Sequence, residues 1–171
     1  AAALFVGGSW LRSLDGDPQA ARWARTGRRW LENRARRLIA DDGSFSQYSV
    51  NYHRLMIETL CVAELWRRAL GATPFSSTFT ARCQAATRWL HAFTDPQTGD
   101  VPNIGSNDGA HLLPLGSTDY RDYRPAVQLA AALFLDASAY PEGSCDALLS
   151  VLALTRPECR MPAAEAQTFN D

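Results

Sequence analysis

Residues 41–70 read DDGSFSQYSVNYHRLMIETLCVAELWRRAL. Asp42-Gly43-Ser44 makes a turn, a polar and aromatic run follows from Phe45 to His53, and a strongly apolar helix comes after it. Met56, Leu60, Ala63, Trp66 and Leu70 recur at helical spacing, which predicts a rod anchored in a core along that face. Asn51, Tyr52, His53 and Arg54 then stand together at or just inside the helix N-terminus. An amide, a phenol, an imidazole and a guanidinium in consecutive positions is more chemistry than a helix start needs.

Working outward, residues 1–13 read as a helix with Gly7-Gly8 close-packed or kinked inside it. Leu14 to Pro18 is a turn, with Asp17 as N-cap and Pro18 as first helical residue. The next helix, to about Ala40, is expected to bury Trp23, Gly27, Trp30, Leu31 and Leu38. Its other faces carry Arg22, Arg25, Arg28, Arg29, Arg34, Arg36 and Arg37. A basic groove for an acidic polymer is one reading of them. The expectation is the other, a solvated face paired with acidic neighbours, because the arginines are spread around the rod.

Downstream, Gly71 to Pro74 breaks the chain and Ser76 or Ser77 caps a helix with Phe79, Cys83, Ala86, Leu90 and Phe93 on one face. Asp95-Pro96 stops it, and His91 near its end reads as a surface or helix-dipole residue. Residues 95–124 form a long connection of the kind that is usually functional. Pro125 starts a nearly all-apolar helix, Ala126 to Leu135, expected to be buried on most sides. A last helix, roughly Ser144 to Leu154, ends before Arg156-Pro157, and an irregular tail follows from Glu158. No stretch alternates like a strand. The fold class is all-α, with helices in antiparallel pairs.

The 171 residues fit one domain, and 46% hydrophobic residues can build a core. A net charge of −1 and a pI near 6.3 argue against a general polyanion-binding surface, so nucleic acid is not an expected partner. All 17 basic residues are arginine, so each can grip a carboxylate or sulfate bidentately. Cys61, Cys83, Cys145 and Cys159 lack CxxC spacing and read as free thiols, with disulfides or metal as the alternative. No apolar run reaches the ~18 residues that span a membrane. The start at Ala1 inside a helical pattern and the end at Asp171 without a closing element read as a piece of a longer protein.

The stretch DGSFSQYSVNYHRLMIETL resembles a motif of the heparinase II/III and alginate-lyase superfamily, in which a turn and a polar run precede Tyr-His-Arg and a helix. PNIGSNDGAHLLPLGSTDYRDYRPAVQLAAALF, residues 102–134, resembles that family's loop through Asn-Asp-Gly, Leu-Pro-Leu and Asp-Tyr-Arg-Pro. Two long motifs in family order are more specific than either alone. The resemblance implies an incomplete (α/α) toroid, with residues 1–157 as its C-terminal part and 158–171 leading toward a β-sandwich domain. It implies a bacterial polysaccharide lyase that cleaves uronic-acid polymers by β-elimination, with periplasmic or secreted location favoured. No cofactor or metal is expected in this stretch. The partners implied are the acidic polysaccharide and the remainder of its own chain, the upstream helices and the downstream β-domain.

By motif position Tyr52 matches the family's catalytic tyrosine, with a structural tyrosine at the helix start as the alternative. His53 is a second catalyst or a support for Tyr52, since helix neighbours point about 100° apart. Gln47, Asn51, Arg54, Asn107, Arg121 and Arg124 are candidate substrate ligands. Asn51 is otherwise an N-cap, Arg54 a partner in an intramolecular salt bridge, Asn107-Asp108-Gly109 a turn, and Arg121 and Arg124 pins between the loop and the helix after it. Asp108, His111 and Tyr120 belong to the same loop. The family's carboxylate-neutralising Asn-His pair lies farther upstream than this chain reaches, and residues 1–50 contain no histidine. On that ground the stretch by itself is expected to be inactive. A non-catalytic carbohydrate-binding toroid and an (α/α) glycoside hydrolase using two of Asp41, Asp42, Asp108, Asp119 and Asp122 remain alternatives.

Overall fold

Six α-helices order the described residues, 1–162, of the computed structural model, and no named strand occurs among them. They are α1 (Ala2–Asp15), α2 (Pro18–Leu38), α3 (Val50–Ala69), α4 (Ser77–Phe93), α5 (Arg124–Phe134) and α6 (Ala147–Val151). The all-α expectation holds. Most starts sit where local chemistry puts them: Asp17 accepts from the Gln19 N–H with Pro18 behind it, and Ser76 accepts from the Phe79 N–H. At α3 the cap is Ser49, whose hydroxyl accepts from the Tyr52 N–H. That releases Asn51 from the capping role expected of it.

α1 and α2 form a hairpin joined by Gly16-Asp17, and their backbones approach closely. A Cβ on Gly27 would collide with the Phe5 backbone, and one on Gly8 would lie 2.6 Å from Ala24 N. Gly8 is therefore the close-packed glycine of the pair; Gly7 faces open space. α3 packs on α1, α4 and α5, and α4 on α2 and α5. The core between them holds Leu31, Ile57, Leu60, Cys61, Phe79, Cys83, Leu90, Val127 and Leu129, each at most 5% exposed. α5 is buried almost throughout, as its composition required. Cys61, Cys83 and Cys145 are buried free thiols, and Cys159 is exposed. The last helical segment is shorter than expected: a 3-10 turn at Ser144–Asp146 runs into α6. Of the expected irregular tail, residues 163–171 lie outside the described residues.

Two expectations about helix faces need correction. On α3 the buried stripe is Val50, Asn51, His53, Arg54, Ile57, Glu58, Leu60, Cys61, Ala63 and Glu64, while Leu70 is 39% exposed. Of the face expected to be buried, Leu60 and Ala63 are buried, Met56 and Trp66 only partly, and Leu70 is outside, so the inward face is centred elsewhere on the helix. Its charged residues go inward because each finds a partner there; Glu64, for example, receives Arg67 and Arg68. On α2, Trp23 and Trp30 are 38% and 40% exposed, so neither belongs to the core. The inward face is taken by Ala20, Ala24, Gly27, Leu31 and Ala35, small residues that let α1 approach. Nor are the α2 arginines generally paired: Arg28–Glu32 is the salt bridge within α2 among the described residues.

Candidate active site

The start of α3 and the loop between α4 and α5 meet, which brings the two sequence motifs into one cluster. Ser49 is the hinge of that meeting. Its Oγ caps the Tyr52 N–H at 3.1 Å and donates to the Ser106 carbonyl at 2.5 Å, while Val50 N–H donates to Ile104 O at 3.1 Å. Gly105 allows the approach: with φ of 75° and the Tyr48 carbonyl against its Cα, it leaves no space for a side chain. Tyr48 itself is held at φ 50° and is 81% exposed. A non-glycine residue in the left-handed region beside a cluster of this kind is a site of stored strain.

Asp108 joins the amide to the phenol. The Tyr52 hydroxyl donates to Asp108 Oδ2 at 2.9 Å, and Asn51 Nδ2 lies 3.4 Å from Oδ1. The hydrogen bond from Tyr52, then the Ala110 N–H, hold the Asp108 carboxyl below its ordinary range. The same bond and the carboxylate charge push the Tyr52 phenol above its ordinary value. Tyr52 therefore stays protonated at neutral pH. Asn51 is nearly fully buried, and its Oδ1 takes Arg54 Nη2 at 3.2 Å. The Tyr120 hydroxyl lies 2.8 Å from Asn51 Oδ1 and 2.6 Å from Asn107 Oδ1, with one proton to give.

Arg54, expected either to hold a substrate carboxylate or to pair within the chain, is fully buried and bonded within the chain. Its Nη1 donates to the Tyr120 carbonyl at 2.6 Å, and its guanidinium lies 4.4 Å and 4.1 Å from the Tyr120 and Tyr123 ring centres. It fastens the loop to α3 and is closed to a polymer. One turn on, Glu58 is also fully buried; its Oε2 accepts from the Leu112 N–H at 2.9 Å, and Oε1 lies 3.0 Å from His111 Nε2. Burial pushes the Glu58 carboxyl up, and burial together with Arg54 pushes the His111 imidazole down. Nothing in the spacing of α3 singled out Glu58; its place four residues after Arg54 on a polar stripe was the available signal.

His53 takes the supporting position, the second of the two roles expected of it, and not that of a catalyst in contact with substrate. It is 1% exposed, with Nε2 3.0 Å from the Ala86 carbonyl and its ring stacked on Trp89 at 4.5 Å. Burial lowers its pKa to about 4. It supports the helix from beneath and does not reach solvent beside Tyr52. Arg121 pairs bidentately with Asp100, at 3.1 and 2.5 Å, and keeps 66% of its side chain exposed. Arg124 is bound to Asp122 and the Gln97 carbonyl, so it is a pin of the loop.

Two depressions flank the start of α3. A cleft of ≈ 190 Å³ is lined by Asn51, Asn107, Tyr120 and Arg121 among others. A wider groove of ≈ 430 Å³ lies between α2 and α3, with Gln47, Tyr52 and Arg34 at its polar edge and Leu31, Leu38, Met56 and Leu60 on its floor. The acids considered for a hydrolase pair are otherwise engaged: Asp41 with Arg82, Asp42 and Asp119 with backbone N–H groups, Asp122 with Arg124. No group of three or more metal-ligating side chains occurs among the described residues, and no helix there is long and apolar enough to cross a membrane. Compared with known proteins, the chain matches no family model, no curated protein and no solved structure.

Proposed function

We propose that this chain is the later part of an (α/α) toroid in a lyase that cleaves uronic-acid polysaccharides by β-elimination. The observation that carries the reading is the Tyr52–Asp108 hydrogen bond at 2.9 Å. It joins residues 56 apart, one from each motif, and sets the Tyr52 hydroxyl at the edge of a groove with its proton donated to Asp108, from which it must turn to meet a sugar oxygen.

The chemistry follows from that proton. In the elimination a base takes the C5 proton of the uronate, its electrons form the C4–C5 double bond, and the C4–O4 bond breaks. The departing O4 needs a proton, and Tyr52, kept protonated by Asp108, supplies it as general acid. The carboxylate beside Tyr52 opposes a phenolate, so the acid role suits it and the base role does not. Charge developing on the uronate carboxylate is stabilised by donors that are already in place. Asn107 and the exposed Arg121 line the smaller cleft, on the other side of the α3 start from Tyr52, and offer donors to the carboxylate of a neighbouring sugar, while buried Asn51 holds Asp108. His111, held neutral beside Glu58, gives the loop an imidazole able to accept a proton. Arg54 and His53 keep these groups in position.

Incubating polyuronates with a form of the protein that carries the proposed upstream helices tests the reading. Products with 4,5-unsaturated, ultraviolet-absorbing ends are expected. Saturated reducing ends, or no cleavage of any uronate polymer, would count against it.

A further inference from the structure

The α2 surface combines charge and aromatic rings in a way its core packing does not require. Trp23 and Trp30 are seven residues apart, so they project within about 20° of each other, with about 10.5 Å between them along the axis. Both are more than a third exposed. The Arg29 and Arg34 guanidiniums lie 5.8 Å and 5.0 Å from the Trp30 ring centre. Seven arginines stand on α2 against the one acid, Glu32, and Glu32 is taken by Arg28. In a chain of net charge −1 this helix is a local concentration of positive charge. It is also continuous with the candidate site, because Arg34 shares the ≈ 430 Å³ groove with Gln47 and Tyr52.

We infer that the Trp23–Trp30–Arg34 face of α2 is a binding surface for an acidic polysaccharide strand, feeding the groove that ends at Tyr52. The inference rests on the lyase reading for the direction of the strand, and its chemistry is complementary at each step. A pyranose ring presents an apolar C–H face that stacks on indole. The separation of the two indoles matches about one disaccharide. Carboxylates on that disaccharide meet guanidiniums already oriented over Trp30, where planar bidentate pairing is available. Beyond Arg34 the aliphatic floor of the groove accepts another sugar face, with Gln47 at its rim. A nucleic acid would need phosphate contacts spread over a broad basic surface, and the rest of this chain is acidic on balance.

Tryptophan fluorescence titration of the full 171-residue chain with polygalacturonate reads this surface without requiring turnover. Saturable quenching is expected, weakening with added salt. Trp30→Ala and Arg34→Gln should each reduce affinity about five- to tenfold, with circular dichroism unchanged because both side chains are exposed. Arg88→Gln, at an exposed arginine of α4 outside the groove, should leave the affinity within about twofold. Undiminished affinity in both α2 variants overturns the inference, as does equal binding of a single-stranded oligonucleotide. Trp30-dependent self-association without polymer binding overturns it too, by assigning the face to a second copy of the chain. Cleavage with unaltered affinity in the α2 variants would sink the surface and spare the lyase reading. Binding lost in those variants, without unsaturated products from the form that carries the proposed upstream helices, would do the reverse.

Discussion

Replacing Arg54 by Met should cost about 3–5 kcal/mol of folding stability, the range for removing one partner from a buried, hydrogen-bonded charge network. Arg54 is fully buried and donates to the Tyr120 carbonyl at 2.6 Å and to Asn51 at 3.2 Å, between two tyrosine rings. Each charge-assisted bond contributes roughly 1.5–3 kcal/mol, and they are not additive. Met preserves much of the stem volume, so the loss reports on the guanidinium and not on a cavity. With a urea m-value of about 2 kcal/mol/M, the unfolding midpoint should fall by about 1.5–2.5 M. Glu58, bonded to His111 and the Leu112 N–H and close enough to feel the Arg54 charge, should prefer the neutral form more strongly once that charge is gone. Adding Glu58→Gln to Arg54→Met should therefore recover part of the loss, a coupling that a double-mutant cycle measures. Hydrogen exchange should quicken first at Ala110 to Tyr123. A midpoint shift equivalent to less than about 1 kcal/mol would refute the claim that this cation fastens the loop to α3.

Four other outcomes follow from the same geometry. Asp108→Asn should bring the Tyr52 phenol down toward its ordinary pKa, seen by ultraviolet titration; an unmoved titration would mean the bond is not formed in solution. His53 has its pKa lowered to about 4 by burial, so its contribution to stability is complete above about pH 6.5 and is lost as pH falls toward 4. That loss is roughly 3 kcal/mol and should largely vanish in His53→Gln, by urea unfolding across that range. Gly105→Ala should destabilise by about 1–3 kcal/mol, since its Cβ would meet the Tyr48 carbonyl at φ 75°. Thiol labelling of the native protein should reach the exposed Cys159 quickly and Cys61 and Cys83 only on unfolding, because burial raises both of those thiols.

Elements with local signals were legible in the sequence. Asp17-Pro18 and Ser76 mark their helix starts by side-chain chemistry that acts within three residues, and α5 could only be buried. Helix rotation was not legible on α2 or α3. Periodicity assigns an apolar residue to the core by default, and it has no way to know that Arg54, Glu58 and Glu64 find partners inside. Nor does it show that small residues on α2 let α1 approach so closely that Trp23 and Trp30 are left outside. At the site, the motifs brought Tyr52, Asn51, Asn107 and Asp108 to notice. The burial of His53 and Arg54 depends on Ala86, Trp89 and Tyr120, which are 33 to 66 residues away in the chain. Arg121 and Arg124 look alike in the sequence, and the carboxylates next to them differ: Asp100 leaves Arg121 open, whereas Asp122 and a carbonyl close Arg124 in.

The central claim is that the Tyr52 hydroxyl passes its proton to a departing sugar oxygen. Turnover and polymer affinity of Tyr52→Phe, compared in a form of the protein that carries the proposed upstream helices, test it most directly. Turnover should fall by at least about 100-fold while affinity stays within about twofold. Unsaturated ends formed by the variant at the unsubstituted rate would contradict it.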